Sequence, residues 1–389
     1  MMLIGIALLS TYILTMVGLL IGYHRLPIYN SSEMEETSLS SDVIHFSVII
    51  PFRNEAENLP DQLRSLKNLQ YPLDGFEVLF VDDESEDNSV KLIHELLEST
   101  AFDYQILSNN RHSNSPKKDA IETAIQRSKF DWIIATDADC ELPVRWLSSF
   151  NDYIIQHQPD MLVGPVAYTV QKNWLSQFQN LDNYSLQAVT MGSFGWNKPI
   201  LSNGANLAYR KEKFAQVSGF SENNHIASGD DIFLMEKFLD QNPKGVQFLK
   251  SIDAMVLTKS EDSWSAIISQ RVRWASKTGK SKSKSTKLVG LLVFLVNLFP
   301  ILTGVYAVFD FTFIWVVLGY LILKIGIDFI MILKHSRFLQ KRIRLDYFLS
   351  SALVYPFITV MIVCKSFFRS YTWKGRTYVD SSFLPKKNL

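Results

Sequence analysis

Three acidic clusters and one segment rich in arginine and tryptophan have residue types and spacing that could do chemistry. They are Asp82-Asp83, Asp137-Ala138-Asp139, Asp230-Asp231 and Gln270-Arg271-Val272-Arg273-Trp274. Carboxylates can bind a divalent cation or take a proton from a hydroxyl group. In the last segment, the i, i+3, i+4 spacing places Gln270, Arg273 and Trp274 on one helical face. Each pattern is common by chance, so the informative feature is their order along the chain.

Asp137 and Asp139 form the candidate metal site. Their hard carboxylate oxygens suit Mg²⁺ or Mn²⁺, which takes its remaining ligands from water and phosphate oxygens. Such a metal could bridge a diphosphate and neutralise charge as a nucleotide leaves. The pair follows the apolar run Trp132–Ala135, and this position at a strand end strengthens an otherwise weak motif.

Apolar runs that alternate with helical patterns predict the elements that must position these groups. The predicted strands are Phe46–Ile50, Phe76–Val81, Tyr104–Leu107 and Trp132–Ala135, and the predicted helices are Glu57–Leu69, Val90–Leu97 and Asp119–Ser128. This alternation predicts a parallel sheet with right-handed crossovers. Ligands bind beyond the carboxyl ends of such strands. Pro51, Asp82-Asp83 and Asp137–Asp139 all lie at those ends.

Each motif also has a purely structural interpretation. Asp82-Asp83 favours a turn, and Asp230-Asp231 would cap the start of a helix. Lys117-Lys118 could be a solvated basic pair, and Gln270–Trp274 an amphipathic helix at a membrane boundary. The functional interpretation gains weight because the motifs occur in order and the last one directly precedes apolar segments.

The composition excludes several classes of protein. The 389-residue chain has a formal net charge of zero, so it lacks the basic field that nucleic-acid binding usually needs. It contains neither GxGxxG opening a helix nor GxxxxGK[ST], which leaves dinucleotide and P-loop sites without support. Its two cysteines make a disulfide framework improbable and fit a reducing compartment for the soluble part.

Apolar runs at both ends predict membrane segments. Met1–Tyr23 precedes Arg25 and is long enough to cross a bilayer. It favours a retained anchor, with its N-terminus outside, over a cleaved signal peptide. Leu288–Val308 and Phe311–Leu333 predict a transmembrane hairpin, and Tyr347–Phe368, interrupted by Pro356, predicts a third run.

The basic residues give conflicting signals about the last run. Residues 334–344 are basic and belong in the cytoplasm, but a full third crossing would place the basic tail outside. We favour a true span for Tyr347–Phe368 with the tail as an exception, and the alternative is a re-entrant or interfacial segment. Lys324 and Asp328, four residues apart within the second run, could pair on one helix face.

Seven segments carry a resemblance to a known family. They are Ser47–Glu55, Val81–Ser85, Ser115–Ile121, Asp137–Asp139, Asn203–Arg210, Ser228–Leu234 and Gln270–Trp274. In this order they resemble the D, DxD, D, QxxRW pattern of membrane-bound family-2 glycosyltransferases. The segment Trp373–Tyr378 is similar to a tail of the same enzymes. Two departures stand out, since Glu84 and Pro116 replace glycines that the family usually has.

The resemblance implies a role for each matching residue. It implies nucleotide binding by Pro51, Arg53, Glu55, Asp82, Asp83, Lys117, Lys118 and Asp137. It implies metal binding by Asp139 with Asp137, and a catalytic base at Asp231 with Asp230 second. It implies acceptor or diphosphate binding by Gln270, Arg273, Trp274, Gly204 and Asn206.

The implied fold is a Rossmann-like GT-A α/β domain with a mostly parallel sheet and transmembrane helices at both ends. The predicted divisions are an anchor (1–25), a linker (26–43), the GT-A domain (44–264), an interfacial QxxRW helix with a basic stretch (265–287), a transmembrane region (288–368) and a basic tail (369–389).

The implied function is an inverting transfer of sugar from a nucleotide diphosphate sugar, with UDP-sugars favoured. A divalent metal would assist, and the acceptor would be a lipid, a lipid-linked molecule or a polysaccharide at the cytoplasmic membrane face. Such an enzyme would serve cell-envelope polysaccharide or glycolipid synthesis. A processive polysaccharide synthase subunit is one alternative, and a non-catalytic, sugar-nucleotide-binding membrane scaffold is another.

Overall fold

The computed structural model describes residues 1–30, 43–224, 226, 228–367, 370–373 and 376–379. The chain divides into two compact units. The helical unit comprises Met1–Leu26, Val170–Leu201 and Ser260–Thr372. The α/β unit comprises Pro27–Thr169, Ser202–Lys259 and Trp373–Leu389. The predicted linker (26–43) lies mostly outside the described residues, as does most of the predicted basic tail.

The described residues contain helices and strands with the following bounds. The helices are α1 (Met2–Arg25), α2 (Leu59–Lys67), α3 (Ser89–Leu97), α4 (Pro116–Arg127), α5 (Trp146–His157), α6 (Trp174–Phe194), α7 (Lys211–Gln216), α8 (Ile232–Gln241), α9 (Trp264–Lys280), α10 (Lys284–Tyr306), α11 (Phe313–Phe338) and α12 (Leu345–Ser366). The strands are β1 (Phe46–Phe52), β2 (Phe76–Asp82), β3 (Asp103–Ser108), β4 (Trp132–Ala135), β5 (Cys140–Glu141), β6 (Met161–Val163), β7 (Val166–Thr169), β8 (Leu207–Arg210), β9 (Val246–Phe248), β10 (Val256–Lys259), β11 (Ser370–Trp373) and β12 (Arg376–Val379).

The α/β unit is built on a seven-stranded sheet with the order β3-β2-β1-β4-β8-β6-β9. Strands β1 to β4 are mutually parallel, and β8 runs antiparallel between β4 and β6. The interiors of the central strands β1, β2 and β4 are mostly apolar and buried on both faces, as in Val48, Ile49 and Ile50, which is typical of a parallel sheet covered by helices. The predicted α/β fold with a mostly parallel sheet is therefore confirmed.

A second, three-stranded sheet extends the α/β unit beyond the end of β4. Its order is β5-β10-β7, with β10 antiparallel to β5 and parallel to β7. Thr258 of β10 pairs with Cys140 of β5. This pairing places β10 beside the chain that leaves β4, where the Asp137–Asp139 motif lies.

The helical unit contains α1, α6 and α9 to α12. Within the described part of the chain, α1, α10, α11 and α12 are long and apolar enough to cross a membrane, with mean hydropathy values between 1.9 and 2.4. The predicted apolar segments are confirmed as helices, and α12 continues through Pro356 for 22 residues. A membrane protein is thus supported, whereas the side on which each end lies stays a prediction.

Helix α6 belongs to the helical unit together with the apolar helices, which the sequence pattern did not predict. Glycines allow the backbones of α1 and α6 to approach closely. A Cβ on Gly22 would lie 2.0 Å from the carbonyl oxygen of Gly192, and one on Gly195 would lie 1.8 Å from that of Gly22. Such small-residue contacts are a common way to pack membrane helices.

Asn206 ties separate parts of the α/β unit together. Its side chain is fully buried; Oδ1 accepts a hydrogen bond from Trp146 Nε1 at 2.9 Å. Nδ2 donates to the carbonyl oxygens of Pro165 and Ala254, both at 2.8 Å. Because both ends of this amide are engaged, the geometry favours a structural role for Asn206.

Asn206→Ala is expected to destabilise the protein strongly, because it orphans three buried polar groups at a cost of about 3 kcal/mol in total. Thermal unfolding in detergent, followed by intrinsic fluorescence, measures the loss. Asn242→Ala is the matched control, because the side-chain amide of Asn242 donates its hydrogen bond to Asp160 at an exposed position. Equal melting temperatures for the two variants would contradict the role assigned to Asn206.

Candidate functional site

The predicted acidic clusters lie at one edge of the large sheet. Asp82 ends β2, Asp137 and Asp139 follow β4, and Asp230 lies directly before α8. Pro51 is opposite Val81 in the register of β1 and β2. Because neighbouring parallel strands share their carboxyl ends, these groups collect at the edge where ligands bind in such sheets.

Lys117 joins the second and third acidic clusters. Its Nζ lies 2.6 Å from Asp137 Oδ1 and 3.0 Å from Asp230 Oδ2. Burial by itself would lower the pKa of Lys117, but the carboxylates of Asp137 and Asp230 outweigh it and raise the pKa above its usual value. The lysine is therefore charged, and it holds two carboxylates from separate loops in one site.

Gly204 makes room for this ion-pair network. A Cβ at this position would lie 2.4 Å from Asp230 Oδ2 and 3.1 Å from Lys117 Nζ. Any side chain there would displace the carboxylate or the ammonium group. The predicted acceptor-side residue Gly204 thus lies against the acidic site.

Asp139 is half-buried beside this network. Oδ2 accepts a hydrogen bond from Thr258 Oγ1 at 3.3 Å, and Oδ1 lies 3.6 Å from Cys140 Sγ. Burial and the nearby Asp137 carboxylate raise the pKa of Asp139 to about 6. The carboxylates of Asp137 and Asp139 therefore lie close enough to interact, and such a pair is a donor set that fits a hard divalent cation.

Asp82 and Asp83 point in different directions. Asp82 Oδ1 accepts from the backbone nitrogen of Ser85 at 3.0 Å and so closes the turn after β2. The Asp83 carboxylate is nearly buried and accepts from Asn109 Nδ2 at 2.7 Å. Arg111 Nε lies 3.7 Å from the same oxygen. Asp83 is therefore the member of the pair that belongs to a polar cluster.

Arg53 and Glu55 connect the loops after β1 and β2. Arg53 donates to the carbonyl oxygen of Asp83 at 2.7 Å and pairs with Glu86 at 2.8 Å. The backbone nitrogen of Glu55 donates to Ser89 Oγ at 2.8 Å. Through these contacts both predicted nucleotide-binding residues hold the two loops together.

Lys118 points away from Lys117. It is buried, and its Nζ donates to the carbonyl oxygens of Asn223 and Ile226 at 2.7 and 3.0 Å. Its ammonium also lies 5.3 Å from the centre of the Phe233 ring. Lys118 thus holds the segment that leads to Asp230, while its neighbour Lys117 binds Asp230 itself.

The two candidate bases have different surroundings. Asp230 pairs with Lys117. Asp231 caps α8, where its Oδ1 accepts from the backbone nitrogen of Ile232 at 2.7 Å. Both side chains belong to buried residues. The geometry brings Asp230 into the cluster with Asp137 and gives Asp231 a contact with its own helix.

Gln270, Arg273 and Trp274 lie on α9, in the helical unit. Gln270 Nε2 donates to Glu261 Oε1 at 2.9 Å. The guanidinium of Arg271 lies 4.1 Å from the centre of the Trp274 ring. The predicted helix is confirmed, and the predicted roles of these three residues stay predictions.

Sequence reasoning missed Asn109, Arg111 and Thr258. Asn109 directly follows β3, and its backbone nitrogen donates to the carbonyl oxygen of Asp82 at 2.9 Å. The rule that parallel strands present their carboxyl ends together could have identified Asn109 and Arg111. Thr258 had no such signal, because only the pairing of β10 with β5 brings it near Asp139.

Comparisons with known proteins identify the family of the α/β domain. Residues 47–217 match Glycosyl transferase family 2. A probable glycosyltransferase, YdaM of Bacillus subtilis, is 24% identical over 59% of this chain and 54% of its own length. The glycosyltransferase AglE of Haloferax volcanii is 28% identical over 52% of this chain and 64% of its own. The chain thus spans between about half and two thirds of these relatives.

The fold agrees as well. The mannosyltransferase PcManGT from Pyrobaculum calidifontis, solved with GDP-Man and Mn²⁺, has a TM-score of 0.55 at 14% identity. The match covers 94% of this chain and 98% of that one. Residues 47–217 thus carry a family-2 glycosyltransferase domain in a chain of GT-A fold, and the predicted family resemblance is confirmed for this domain.

Glu84 has a positive φ of 60° at the position where the family usually has glycine. Left-handed backbone costs a residue with a Cβ roughly 1 kcal/mol. We therefore expect Glu84→Gly to be more stable than Glu84→Ala by about 1 kcal/mol, since both variants lose the side chain and only one loses the strain. Thermal unfolding compares the two. An alanine variant at least as stable as the glycine variant would contradict this account.

Proposed function

We propose that this chain is an inverting glycosyltransferase that uses a nucleotide diphosphate sugar, with a UDP-sugar favoured. The acceptor is a hydroxyl or phosphate oxygen on a lipid, a lipid-linked molecule or a polysaccharide at the cytoplasmic membrane face. The observation that carries the proposal is the Lys117 bridge between Asp137 and Asp230, at the ligand-binding edge of a family-2 domain.

The donor would bind across this edge. Asp83, held by Asn109, offers a carboxylate to a base or ribose. Lys117 is a charged group that can exchange a carboxylate for an oxygen of the diphosphate. Arg53 and Glu55 shape the loop beside them. Pro51 is the second-last residue of β1, beside the loop that is proposed to contact the nucleotide.

Asp139 and Asp137 are the residues that would hold a divalent cation. When bound, the metal would neutralise charge on the departing nucleoside diphosphate. Asp139 keeps its orientation through the hydroxyl of Thr258. Asp137 is held by Lys117, so one lysine links the metal-binding carboxylate to the candidate base Asp230.

Transfer to a hydroxyl acceptor requires a carboxylate that takes the hydroxyl proton, whereas an ionised phosphate acceptor has no proton to give up. As the acceptor oxygen attacks the anomeric carbon, the bond from that carbon to the phosphate oxygen breaks, and the proton of a hydroxyl acceptor passes to the base. Asp231 is the base by resemblance, with Asp230 second. Gln270, Arg273 and Trp274 are proposed to bind the acceptor or the diphosphate, with the Trp274 ring as a stacking surface for a sugar.

Two alternatives remain beside single transfer. A processive synthase subunit shares the QxxRW pattern, but the four apolar helices among the described residues favour single transfer or a partner-assisted synthase. A non-catalytic scaffold that binds sugar nucleotides is disfavoured, because the chain retains every carboxylate that the reaction needs.

The first test is nucleotide release from a panel of UDP- and GDP-sugars by the purified protein in nanodiscs, with and without Mn²⁺ or Mg²⁺. We expect metal-dependent release from one donor. Asp139→Asn should lower it by at least about 100-fold, because metal charge stabilisation contributes several kcal/mol. Glu95→Gln, at an exposed carboxylate that pairs with Lys91 on α3, is the control and should be unaffected. Full turnover in Asp139→Asn would refute the metal assignment, and absence of donor binding would refute the function.

The second test separates the two candidate bases. Loss of a general base lowers kcat by about 100- to 10,000-fold. If Asp231 is the base, Asp231→Asn shows this loss while donor affinity stays unchanged. Asp230→Asn should instead weaken donor binding, because Lys117 then loses one of the two carboxylates that hold it in place for the diphosphate. The reverse pattern would move the base to Asp230, and turnover unchanged in both variants would show that the catalytic assignment is wrong.

A further inference from the structure

A buried ion pair fixes the QxxRW helix within the helical unit. Arg271 of α9 and Asp182 of α6 approach to 2.7 Å, and each side chain is less than a tenth exposed. The hydroxyl of Tyr355 in α12 donates to the other oxygen of Asp182 at 3.3 Å. Asp182 therefore links three helices through one carboxylate.

A second buried pair lies beyond Tyr355. Lys324 and Asp328 of α11 approach to 2.9 Å, as their spacing in the sequence predicted. The hydroxyl of Tyr12 in α1 donates to Asp328 at 2.6 Å. The ammonium of Lys324 lies 5.1 Å from the centre of the Tyr355 ring. The second pair shares Tyr355 with the first but has its own partner in Tyr12, so it serves as an internal comparison for the first.

Arg271 also determines the surroundings of a motif residue. Its guanidinium stacks 4.1 Å from the centre of the Trp274 ring, one turn further along α9. A planar guanidinium that is held by a carboxylate on one side restricts the ring that it covers on the other. The position of the Trp274 ring therefore depends on Asp182.

The other end of the motif is held from α6 as well. Gln179, one turn before Asp182, donates to the carbonyl oxygen of Glu261 and accepts from its backbone nitrogen, both at 2.9 Å. The Glu261 side chain in turn accepts from Gln270 at 2.9 Å. Gln179 and Asp182 thus reach Gln270 and Trp274 through one intermediate residue each.

We propose that Asp182 is a positioning residue for acceptor binding, acting through Arg271 on the ring of Trp274. This inference rests on the proposed function, in which Trp274 binds the acceptor. An ion pair is an expensive way to fill a buried site, since apolar residues of similar volume often give equal or greater stability. What the pair supplies is a fixed orientation of the guanidinium, and hence of the ring.

The test uses the full chain in nanodiscs, with undecaprenyl phosphate and diacylglycerol as probe acceptors and the donor that supports wild-type turnover. Asp182→Asn should raise the acceptor KM about 10-fold, while the donor KM and the kcat at saturating acceptor stay within twofold. Asp328→Asn is the control, because it breaks the second pair, which does not touch Trp274. An equal rise in acceptor KM for Asp328→Asn would overturn the proposal.

Two further measurements separate positioning from stability. The double variant Asp182→Leu with Arg271→Met removes both charges and should regain the wild-type melting temperature while keeping the raised acceptor KM. If the acceptor KM of the double variant also returned to the wild-type value, the pair would have a structural role and the proposal would fail. In a Trp274→Phe background, Asp182→Asn should have no additional effect on the acceptor KM, and an additive effect would also overturn the proposal.

A readout without turnover distinguishes this proposal from the proposed function. Amide hydrogen exchange over residues 264–280 should accelerate in Asp182→Asn, while exchange over α11 stays unchanged. If the wild-type protein releases no nucleotide from any donor, the proposed function fails, and the exchange result still decides whether the pair holds α9. Unchanged exchange over 264–280 would overturn the proposal whatever the activity.

Discussion

The contact between Lys117 and two carboxylates is the interaction on which the site depends. Asp137 comes from the loop after β4 and Asp230 from the segment before α8, so nothing local holds them together. Two carboxylates at such a short separation would repel each other without a cation between them. Lys117 supplies that cation from the first turn of α4, and the absence of a side chain at Gly204 leaves room for it.

The neighbouring residue, Lys118, holds backbone groups where Lys117 holds side chains. Its ammonium donates to two carbonyl oxygens of the segment before Asp230 and is buried near the aromatic rings of Phe220 and Phe233. The start of α4 thus fixes both the position of the Asp230 carboxylate and the path of the chain that leads to it. In the helical unit, α6 plays a comparable part, because Gln179 and Asp182 hold the two ends of the QxxRW motif.

The sequence predicted the features that depend on local pattern. The apolar runs Phe46–Ile50 and Trp132–Ala135 became β1 and β4 within two residues, because strands that are buried on both faces are continuously apolar. It did not predict that α6 groups with the apolar helices. Gln179 and Asp182 are polar, yet they are buried because their partners, Glu261 and Arg271, come from distant parts of the chain.

The sequence by itself determined the class of the protein, since the order of its acidic clusters and the hydropathy of its ends are properties of the chain alone. Only the tertiary structure decided which contacts each member of a charged pair makes. Lys117, and not Lys118, binds Asp137 and Asp230, and Asp83, and not Asp82, accepts from Asn109. Asp230 contacts the lysine, whereas Asp231 caps α8. Two identical neighbours in a sequence cannot be told apart by residue type, but their side chains point in different directions. The choice between them is made by the loop and helix geometry that the whole fold imposes.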